Sequence, residues 1–187
     1  MVSRGRQPQA DLPLGLRLRA WTLSDAAGRA LAMRDPLVNR YAGVLVSERA
    51  DAEVRVQRYA AAWADDDGAA WVVSDRSGSV LGALRFGLVD RELGCGMVGY
   101  WLLPPARGAG VASAAVRFGS RLVLAQLGWH RVELRHAVEN GRSCRVARRC
   151  GYPQEGVLRD GMRYPSDGRW SDEHLHARVA GDPEPTA

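Results

Sequence analysis

The sequence of 187 residues contains neither lysine nor isoleucine, so all 26 of its basic residues are arginine. Without lysine the chain cannot form a Walker phosphate-binding loop, because the Gly-x-x-x-x-Gly-Lys-Ser/Thr motif requires that residue. Long apolar runs are also missing: the longest stretch without a charged residue, 93–106, has 14 residues and ends in a region with two prolines. A membrane-spanning helix needs about 20 apolar residues, so no membrane partner is expected.

Cysteine is scarce as well. The three residues Cys95, Cys144 and Cys150 are an odd number and lack the spacing of metal ligands. We therefore predict a reduced, cytoplasmic protein without a disulfide framework and without a metal site. No apolar segment of the secretory type follows the first residues, which agrees with this prediction. We predict that the four histidines are ordinary strand residues that bind no metal: His130, His136, His174 and His176.

Positive charge is concentrated in residues 101–150, where nine arginines face only two acidic residues, Glu133 and Glu139. The local balance is 9 − 2 = +7, whereas the whole chain has a net charge of +5. A surplus of this kind indicates a polyanionic partner, either a nucleotide-type cofactor or a nucleic acid. A solvated basic face is the structural alternative.

The chain is predicted to form one domain over residues 14–179. Residues 1–13 are polar and contain proline, and residues 180–187 are rich in proline and small side chains, so both ends are predicted to be flexible tails. Between them, strand patterns alternate with helix patterns only in part. This arrangement predicts an α+β protein with a mixed sheet.

A glycine-rich turn separates a predicted strand at 97–103 from a predicted helix that continues to residue 127. Gly108 and Gly110 allow the backbone to approach a ligand closely, and the first N–H groups of the helix point along the positive end of its dipole. Such a loop suits a pyrophosphate, although a purely structural turn remains the alternative. The Gly-x-Gly-x-x-Gly motif of Rossmann dehydrogenases is incomplete, because position 113 is Ser113.

Five short motifs occur in order along residues 14–179: Gly99-Tyr-Trp101, Arg107–Ala112, Asn140-Gly-Arg-Ser143, Gly151-Tyr152 and Glu155-Gly156. With them the sequence resembles the GNAT superfamily of acyl-CoA-dependent N-acyltransferases. It is most similar to the branch of Rim-type ribosomal-protein N-terminal acetyltransferases. The resemblance implies a mixed, mostly antiparallel central sheet with splayed central strands, flanked by about four helices.

The resemblance also implies a co-substrate, acetyl-CoA or another short-chain acyl-CoA, and no metal. It assigns cofactor binding to Leu102, Leu103, Arg107, Gly108, Ala109, Gly110, Val111, Ala112, Asn140 and Ser143. The amides of 108–112 hold the pyrophosphate, and the backbone near residues 102–103 pairs with the pantetheine. Many family members protonate the departing thiolate with a tyrosine, at the position of Ala147 here. In the Rim-type branch a serine is assigned that role, and the resemblance implies it for Ser143. A further phosphate contact is expected from Arg142, Arg145 or Arg148.

The general base is the point at which the sequence departs from the family. Rim-type enzymes carry a glutamate at the position of Met162. Asp160 is the predicted substitute, because an offset of two along a strand keeps the same face. Glu92, His136 or water are alternatives. The predicted catalytic set is therefore Ser143, Asn140 and Asp160.

Together these features predict transfer of an acetyl or other short acyl group from acyl-CoA to a primary amine, on a protein N-terminus or a small molecule. A non-catalytic acyl-CoA-binding sensor or scaffold is the alternative, because the tyrosine and the glutamate of the family are absent. A nucleic-acid-binding domain is a third hypothesis that rests on charge alone, so no nucleic-acid partner is expected. Rim-type relatives are often dimers, which makes a homodimer a further expectation.

Overall fold

The alternating apolar segments form one eight-stranded sheet in the computed structural model, which describes residues 5–41 and 49–185. In space the strands follow the order β1-β2-β3-β4-β5-β6-β8-β7. Their bounds are β1 Ala10–Leu12, β2 Leu16–Ala20, β3 Gly68–Ser74, β4 Val80–Asp90, β5 Cys95–Leu102, β6 Arg131–Ala137, β7 Gln154–Arg163 and β8 Trp170–Val179. The described helices are α1 Ala26–Ala32, α2 Pro36–Tyr41, α3 Arg49–Ala61, α4 Val111–Arg121 and α5 Gly141–Arg149.

Helices cover both faces of this sheet, and β3 is buried on both sides as a result. Trp71 and Val73 pack in one core with α4 and α5, whereas Ala70 and Val72 pack in the other core with α1, α2 and α3. Side chains alternate across a strand, so one short apolar strand supplies both cores. None of the helices in the described ranges is long and apolar enough to cross a membrane.

The sheet opens between β5 and β6, which form its one parallel pair among the described strands. These strands pair only from Cys95 opposite Arg131 to Met97 opposite Glu133. Beyond that point β5 stays on β4 up to Leu102, and β6 stays on β8 up to Ala137. A wedge therefore opens between them. The predicted mixed, mostly antiparallel sheet with splayed central strands is confirmed.

Residues 7–12, within the segment predicted to be a flexible tail, contact the sheet, and residues 1–4 of that segment lie outside the described residues. Residues 10–12 form β1 along β2. Ahead of that strand, the Gln7 amide donates to the carbonyl of Ala70 at 2.9 Å, and the Trp71 indole donates to the carbonyl of Pro8 at 2.7 Å. The reason is that a buried indole N–H needs an acceptor, and the amino-terminal backbone provides it.

Residues 180–185 of the predicted carboxyl-terminal tail also contact the sheet. Arg178 is buried, and its guanidinium bonds to the Glu184 carboxylate at 2.9 Å. The Asp182 carboxylate accepts the N–H of Val179 at 2.9 Å. Because a buried cation requires a counter-charge, the described residues 180–185 fold back onto the sheet.

Glu139, between β6 and α5, fastens α2 and the β7–β8 hairpin to the centre of the sheet. Its carboxylate accepts hydrogen bonds from Arg40 at 2.9 Å, Tyr164 at 2.5 Å and Ser171 at 3.0 Å. The Tyr164 bond, with those from Ser171 and Arg40, lowers the pKa of Glu139 to about 2. Three side chains from α2 and the β7–β8 hairpin thus depend on one ionised carboxylate.

We expect Gly96→Ala to destabilise the fold by about 1–3 kcal/mol, because this position in β5 leaves no room for a methyl group. A Cβ atom there would overlap the Trp129 ring and lie 2.8 Å from the carbonyl oxygen of Gly87. Gly99→Ala on the same strand is the matched control, since its Cβ would meet nothing within 4 Å. Urea unfolding of both variants measures the difference, and equal stabilities would contradict the prediction.

Glu139→Gln is expected to make stability less dependent on pH. The folded state lowers the pKa of Glu139 from 4.5 to about 2, so its ionised form stabilises the fold. This contribution is complete above pH 4.5 and is lost as the pH falls toward 2. Urea titrations should therefore show that the difference in free energy of unfolding between the unsubstituted protein and Glu139→Gln shrinks as the pH falls from 4.5 toward 2. Glu92→Gln, an exposed residue, is the control; a difference that stays constant with pH would refute the role.

Candidate active site

The loop between β5 and α4 exposes backbone N–H groups in the way that the sequence predicts. Gly108 and Gly110 have φ angles of 87° and 78°, in the left-handed region that favours glycine. A Cβ atom at either position would meet nothing within 4 Å, so the space above the loop is open. The first backbone bond of α4 runs from the Ala114 N–H to the Gly110 carbonyl at 2.9 Å. The N–H groups of 111–113 therefore lack a partner inside the helix and could accept an anion; we refer to them as the anion cradle.

The Arg107 side chain, which the resemblance assigns to cofactor binding, is held by groups of the protein itself. Its Nε donates to the carbonyl oxygen of Leu102 at 2.8 Å, and its Nη2 bonds to the Asp35 carboxylate at 2.6 Å. The same Asp35 oxygen accepts the N–H groups of Leu37 and Val38 in the first turn of α2. Arg107 thus connects α2 to the end of β5. Its guanidinium already donates hydrogen bonds to a carboxylate and a carbonyl of the protein.

The two residues predicted to pair with pantetheine face opposite directions. The Leu103 N–H donates to the Leu81 carbonyl at 2.8 Å, so it points toward the β4 side and away from the wedge. Backbone groups alternate along an antiparallel strand, so those of Leu102 and Tyr100 point to the other side, into the wedge. The prediction for Leu103 is therefore corrected: the wedge presents the N–H of Leu102 and the N–H and carbonyl of Tyr100.

An open groove of about 1160 Å³ begins at the anion cradle and passes between α4 and the end of α5. Its basic residues are Arg117, Arg148 and Arg149, and Arg117 is held by two hydrogen bonds to the Arg149 carbonyl. Of the three arginines predicted as phosphate contacts, only Arg148 lines this groove. The other lining residues are Gly110, Ser113, Ala114, Gly151, Tyr152, Pro153, Asp182, Pro183, Glu184 and Pro185.

The charge surplus of residues 101–150 divides into an engaged set and a free set. Carboxylates or backbone carbonyls hold Arg107, Arg117, Arg121, Arg131 and Arg135. The four arginines of α5 are exposed and form no ion pair within the described residues: Arg142, Arg145, Arg148 and Arg149. The positive field is therefore concentrated on α5, beside the cradle.

Asn140 and Ser143 lie in the first turn of α5, beside the wedge. The Asn140 side chain caps the helix by accepting the Ser143 N–H at 3.3 Å. The Tyr100 hydroxyl lies beside Ser143 and is buried, with no hydrogen bond of good geometry to any described residue. Burial raises the pKa of Tyr100 to about 12, and its proximity to Ser143 opposes that shift. The structure thus adds a second hydroxyl to the predicted pair.

Asp160 does not lie on the regular strand that its prediction assumed. Its φ is 49°, its side chain is exposed, and its N–H donates to the Asp172 carboxylate at 2.9 Å. Leu158 pairs with Glu173 and Met162 with Ser171, so three residues of β7 stand opposite one residue of β8. This bulge breaks the alternation of side chains, and the offset of two no longer implies a shared face.

Glu173 is the carboxylate that the structure brings to this bulge. Burial raises its pKa, although the charge of Arg135 opposes the shift. A Cβ atom placed on Gly161 would lie 3.0 Å from Glu173 Oε2, so the carboxylate adjoins the residue next to Met162. No motif in the sequence marks Glu173, since its approach to residue 161 depends on the register of β7 against β8.

Three of the four histidines form a cluster with a cysteine. Ligand atoms of His136, Cys144, His174 and His176 all lie within 4.8 Å of one another. The sequence predicted strand residues here, and it found no metal site because the separations along the chain have no metal-ligand spacing. The prediction of no metal is therefore not confirmed.

Comparison with curated proteins gives a partial match. YdaF of Bacillus subtilis strain 168, provisionally named a ribosomal N-acetyltransferase, is 32% identical over 85 residues. That match covers 46% of this chain and 46% of YdaF, so it spans about half the length of the relative.

Solved structures match nearly the whole fold. The ribosomal-protein-S5-alanine acetyltransferase of Vibrio fischeri has a TM-score of 0.83 and 17% identity, covering 96% of this chain and all of that one. Mycobacterium smegmatis RimJ, solved with CoA-disulfide, has a TM-score of 0.78 and 24% identity over 92% of this chain and 86% of its own. The family model of the acetyltransferase (GNAT) domain matches residues 15–153. That match spans the wedge, the cradle and α5, and the chain belongs to the GNAT acetyltransferase family.

Proposed function

We propose that the protein transfers an acetyl or other short acyl group from acyl-CoA to the primary amine of a protein N-terminus. The observation that carries this proposal is the wedge between β5 and β6. It opens beside the anion cradle, and the hydroxyl groups of Ser143 and Tyr100 lie at its wall. Family membership supports the same chemistry.

The chain offers different groups to the different parts of acyl-CoA. The N–H groups of 111–113 would hold the pyrophosphate, since a helix N-terminus favours an anion. Arg148 and Arg149 line the adjoining groove and suit the remaining phosphate. Unpaired backbone groups of Tyr100 and Leu102 would bind the amides of pantetheine as a neighbouring strand would. When bound, acyl-CoA supplies the activated thioester carbon.

Ser143 and Tyr100 are suited to protonate the departing thiolate. Acyl transfer to an amine needs a proton donor for the leaving group and a stabilised oxyanion. Because its pKa is raised to about 12, Tyr100 keeps its proton at neutral pH and can only donate or relay it. Asn140 acts through Ser143, because its cap fixes the first turn of α5.

Glu173 replaces Asp160 as the proposed base. A carboxylate with a raised pKa is a stronger base than an exposed one, and burial acts on Glu173 in that direction. It adjoins the bulge at Gly161, beside the position at which the resemblance places a glutamate. Glu173 on β8 would thus take the place of the family glutamate that is absent at Met162 on β7.

The choice of acceptor rests on the relatives. The names of YdaF and of the Vibrio fischeri enzyme refer to ribosomal acetyltransferases, which favours a protein N-terminus over a small amine. The Glu139 cluster places α2 against the β7–β8 hairpin and so shapes the surface on which an acceptor would rest. A small-molecule amine is the other outcome of an acceptor screen, and the homodimer stays a prediction.

Ser143→Ala should lower kcat by about 100-fold with little change in the affinity for acetyl-CoA, because the variant removes a proton donor and leaves the cradle intact. The measurement follows thiol release from acetyl-CoA with peptides that carry free N-terminal amines and with small amines. Gly110→Trp is the contrasting variant: its side chain would fill the open space above the loop, so cofactor binding itself should be lost.

Calorimetry with acetyl-CoA separates the two effects. Saturable binding of acetyl-CoA without thiol release for any amine would indicate that the protein is an acyl-CoA sensor and not an enzyme. An unchanged rate in Ser143→Ala would remove that hydroxyl from the mechanism, and normal binding in Gly110→Trp would place the pyrophosphate elsewhere.

Glu173→Gln is expected to lower kcat/KM by about 100-fold and to remove the rise of the rate with pH, because a base acts only when deprotonated. Burial raises the pKa of Glu173, so in the unsubstituted protein the rise should occur at a higher pH than for an exposed glutamate. Asp160→Asn is the matched control and should keep the rate and its profile. The reverse result, with only Asp160→Asn impaired, would restore Asp160 as the base.

A further inference from the structure

The cluster of His136, Cys144, His174 and His176 lies where β6, β8 and α5 meet. His136 stands directly opposite His174 in the β6–β8 pair, and His176 follows two residues later on β8. Cys144 belongs to the first turns of α5, next to Ser143. We refer to these four residues as the histidine–cysteine cluster; nothing in the proposed acyl transfer uses it.

Two of the histidines have their tautomers fixed by backbone carbonyls. His136 Nδ1 lies 2.9 Å from the carbonyl oxygen of Ala137, and His176 Nδ1 lies 3.0 Å from that of Tyr152. A carbonyl can only accept a hydrogen bond, so each Nδ1 carries the proton. Each Nε2 therefore presents a lone pair.

These two lone pairs face each other. The Nε2 atoms of His136 and His176 are 3.3 Å apart, and both residues are buried. Neither nitrogen can donate to the other while both Nδ1 atoms keep their protons. A cation between them resolves the conflict, and it is either a proton or a metal ion.

The other two members complete a ligand set. His174 Nδ1 is buried and has no hydrogen-bond partner among the described residues. Cys144 contributes a thiol that is partly exposed, and all four ligand atoms lie within 4.8 Å of one another. Ligands at about 2.0–2.3 Å from a tetrahedral zinc ion lie about 3.3–3.8 Å apart. The distance of 3.3 Å between the two Nε2 atoms already lies in that range. A pair of ligand atoms at 4.8 Å would have to approach by about 1 to 1.5 Å.

We propose that the histidine–cysteine cluster binds one Zn²⁺ ion through three imidazole nitrogens and the Cys144 thiolate. Four protein ligands leave no open position, so the ion would be structural and would not activate the substrate. The carbonyls of Ala137 and Tyr152 are the outer partners that orient metal-binding histidines. The ion would fasten α5, and with it Ser143, to β6 and β8.

Cobalt titration of the full chain tests this proposal. The purified protein is stripped of metal with a chelator, reduced, and titrated with Co²⁺ alone. We expect one equivalent to bind with the visible bands of a tetrahedral site and a thiolate-to-cobalt charge-transfer band, and Zn²⁺ should displace it. Cys144→Ser should lose the charge-transfer band, whereas Cys95→Ser, the matched control away from the cluster, should keep it.

Thermal unfolding provides a second readout that does not depend on activity. Zn²⁺ should raise the melting temperature of the unsubstituted protein by several degrees. It should have little effect on His174→Gln, and His130→Gln is the control because His130 is exposed outside the cluster. If His174→Gln does not fold, the same measurement is made on Cys144→Ser. The Cys144 side chain is only half-buried, so this substitution should disturb the fold less. No charge-transfer band in the unsubstituted protein, or a band that survives in Cys144→Ser, would overturn the proposal.

Discussion

The separation of β5 from β6 after three residue pairs is the constraint on which the rest of the site depends. Beyond Met97, no residue of β5 pairs with β6, and the backbone groups of Tyr100 and Leu102 that point to that side lie inside the sheet, where unpaired backbone groups are costly. Arg107 satisfies one of them by donating to the Leu102 carbonyl. The remaining groups, of Tyr100 and Leu102, need water or a ligand. An extended amide-bearing molecule is the partner that satisfies them as a strand would.

The short segment 139–144 connects this gap to everything around it. Glu139 holds α2 and the hairpin, Asn140 caps α5, Ser143 faces Tyr100, and Cys144 reaches the histidines. Four tasks on six residues leave little freedom for the first turn of α5. A displacement of that turn would alter the proposed acceptor surface, the proposed proton donor and the histidine–cysteine cluster together. We therefore expect the chemistry to depend on how firmly α5 is held.

The sequence predicts the elements that depend on local pattern, and it fails where register decides. The glycine loop follows from a motif, because φ angles are a local property. The splayed sheet follows from the resemblance to the family. The direction of Leu103 could not be predicted without its pairing to Leu81. Asp160 was wrongly placed because a bulge adds residues to β7. The histidine–cysteine cluster was missed because its members meet only through the pairing of β6 with β8 and the packing of α5.

A count of charges along the sequence also fails to predict the electrostatic field at the site. A local balance of +7 suggests a strongly basic surface around the cradle. Five of those nine arginines are already bound to carboxylates or carbonyls of the protein, and Arg107 in particular acts as a structural clamp. The field at the site comes from the four exposed arginines of α5. A guanidinium beside a fixed carboxylate contributes little at a distance, because the two charges cancel beyond a few ångströms. Attraction of a polyphosphate to the cradle is therefore set by the arginines without an acidic neighbour, which a count along the sequence cannot distinguish.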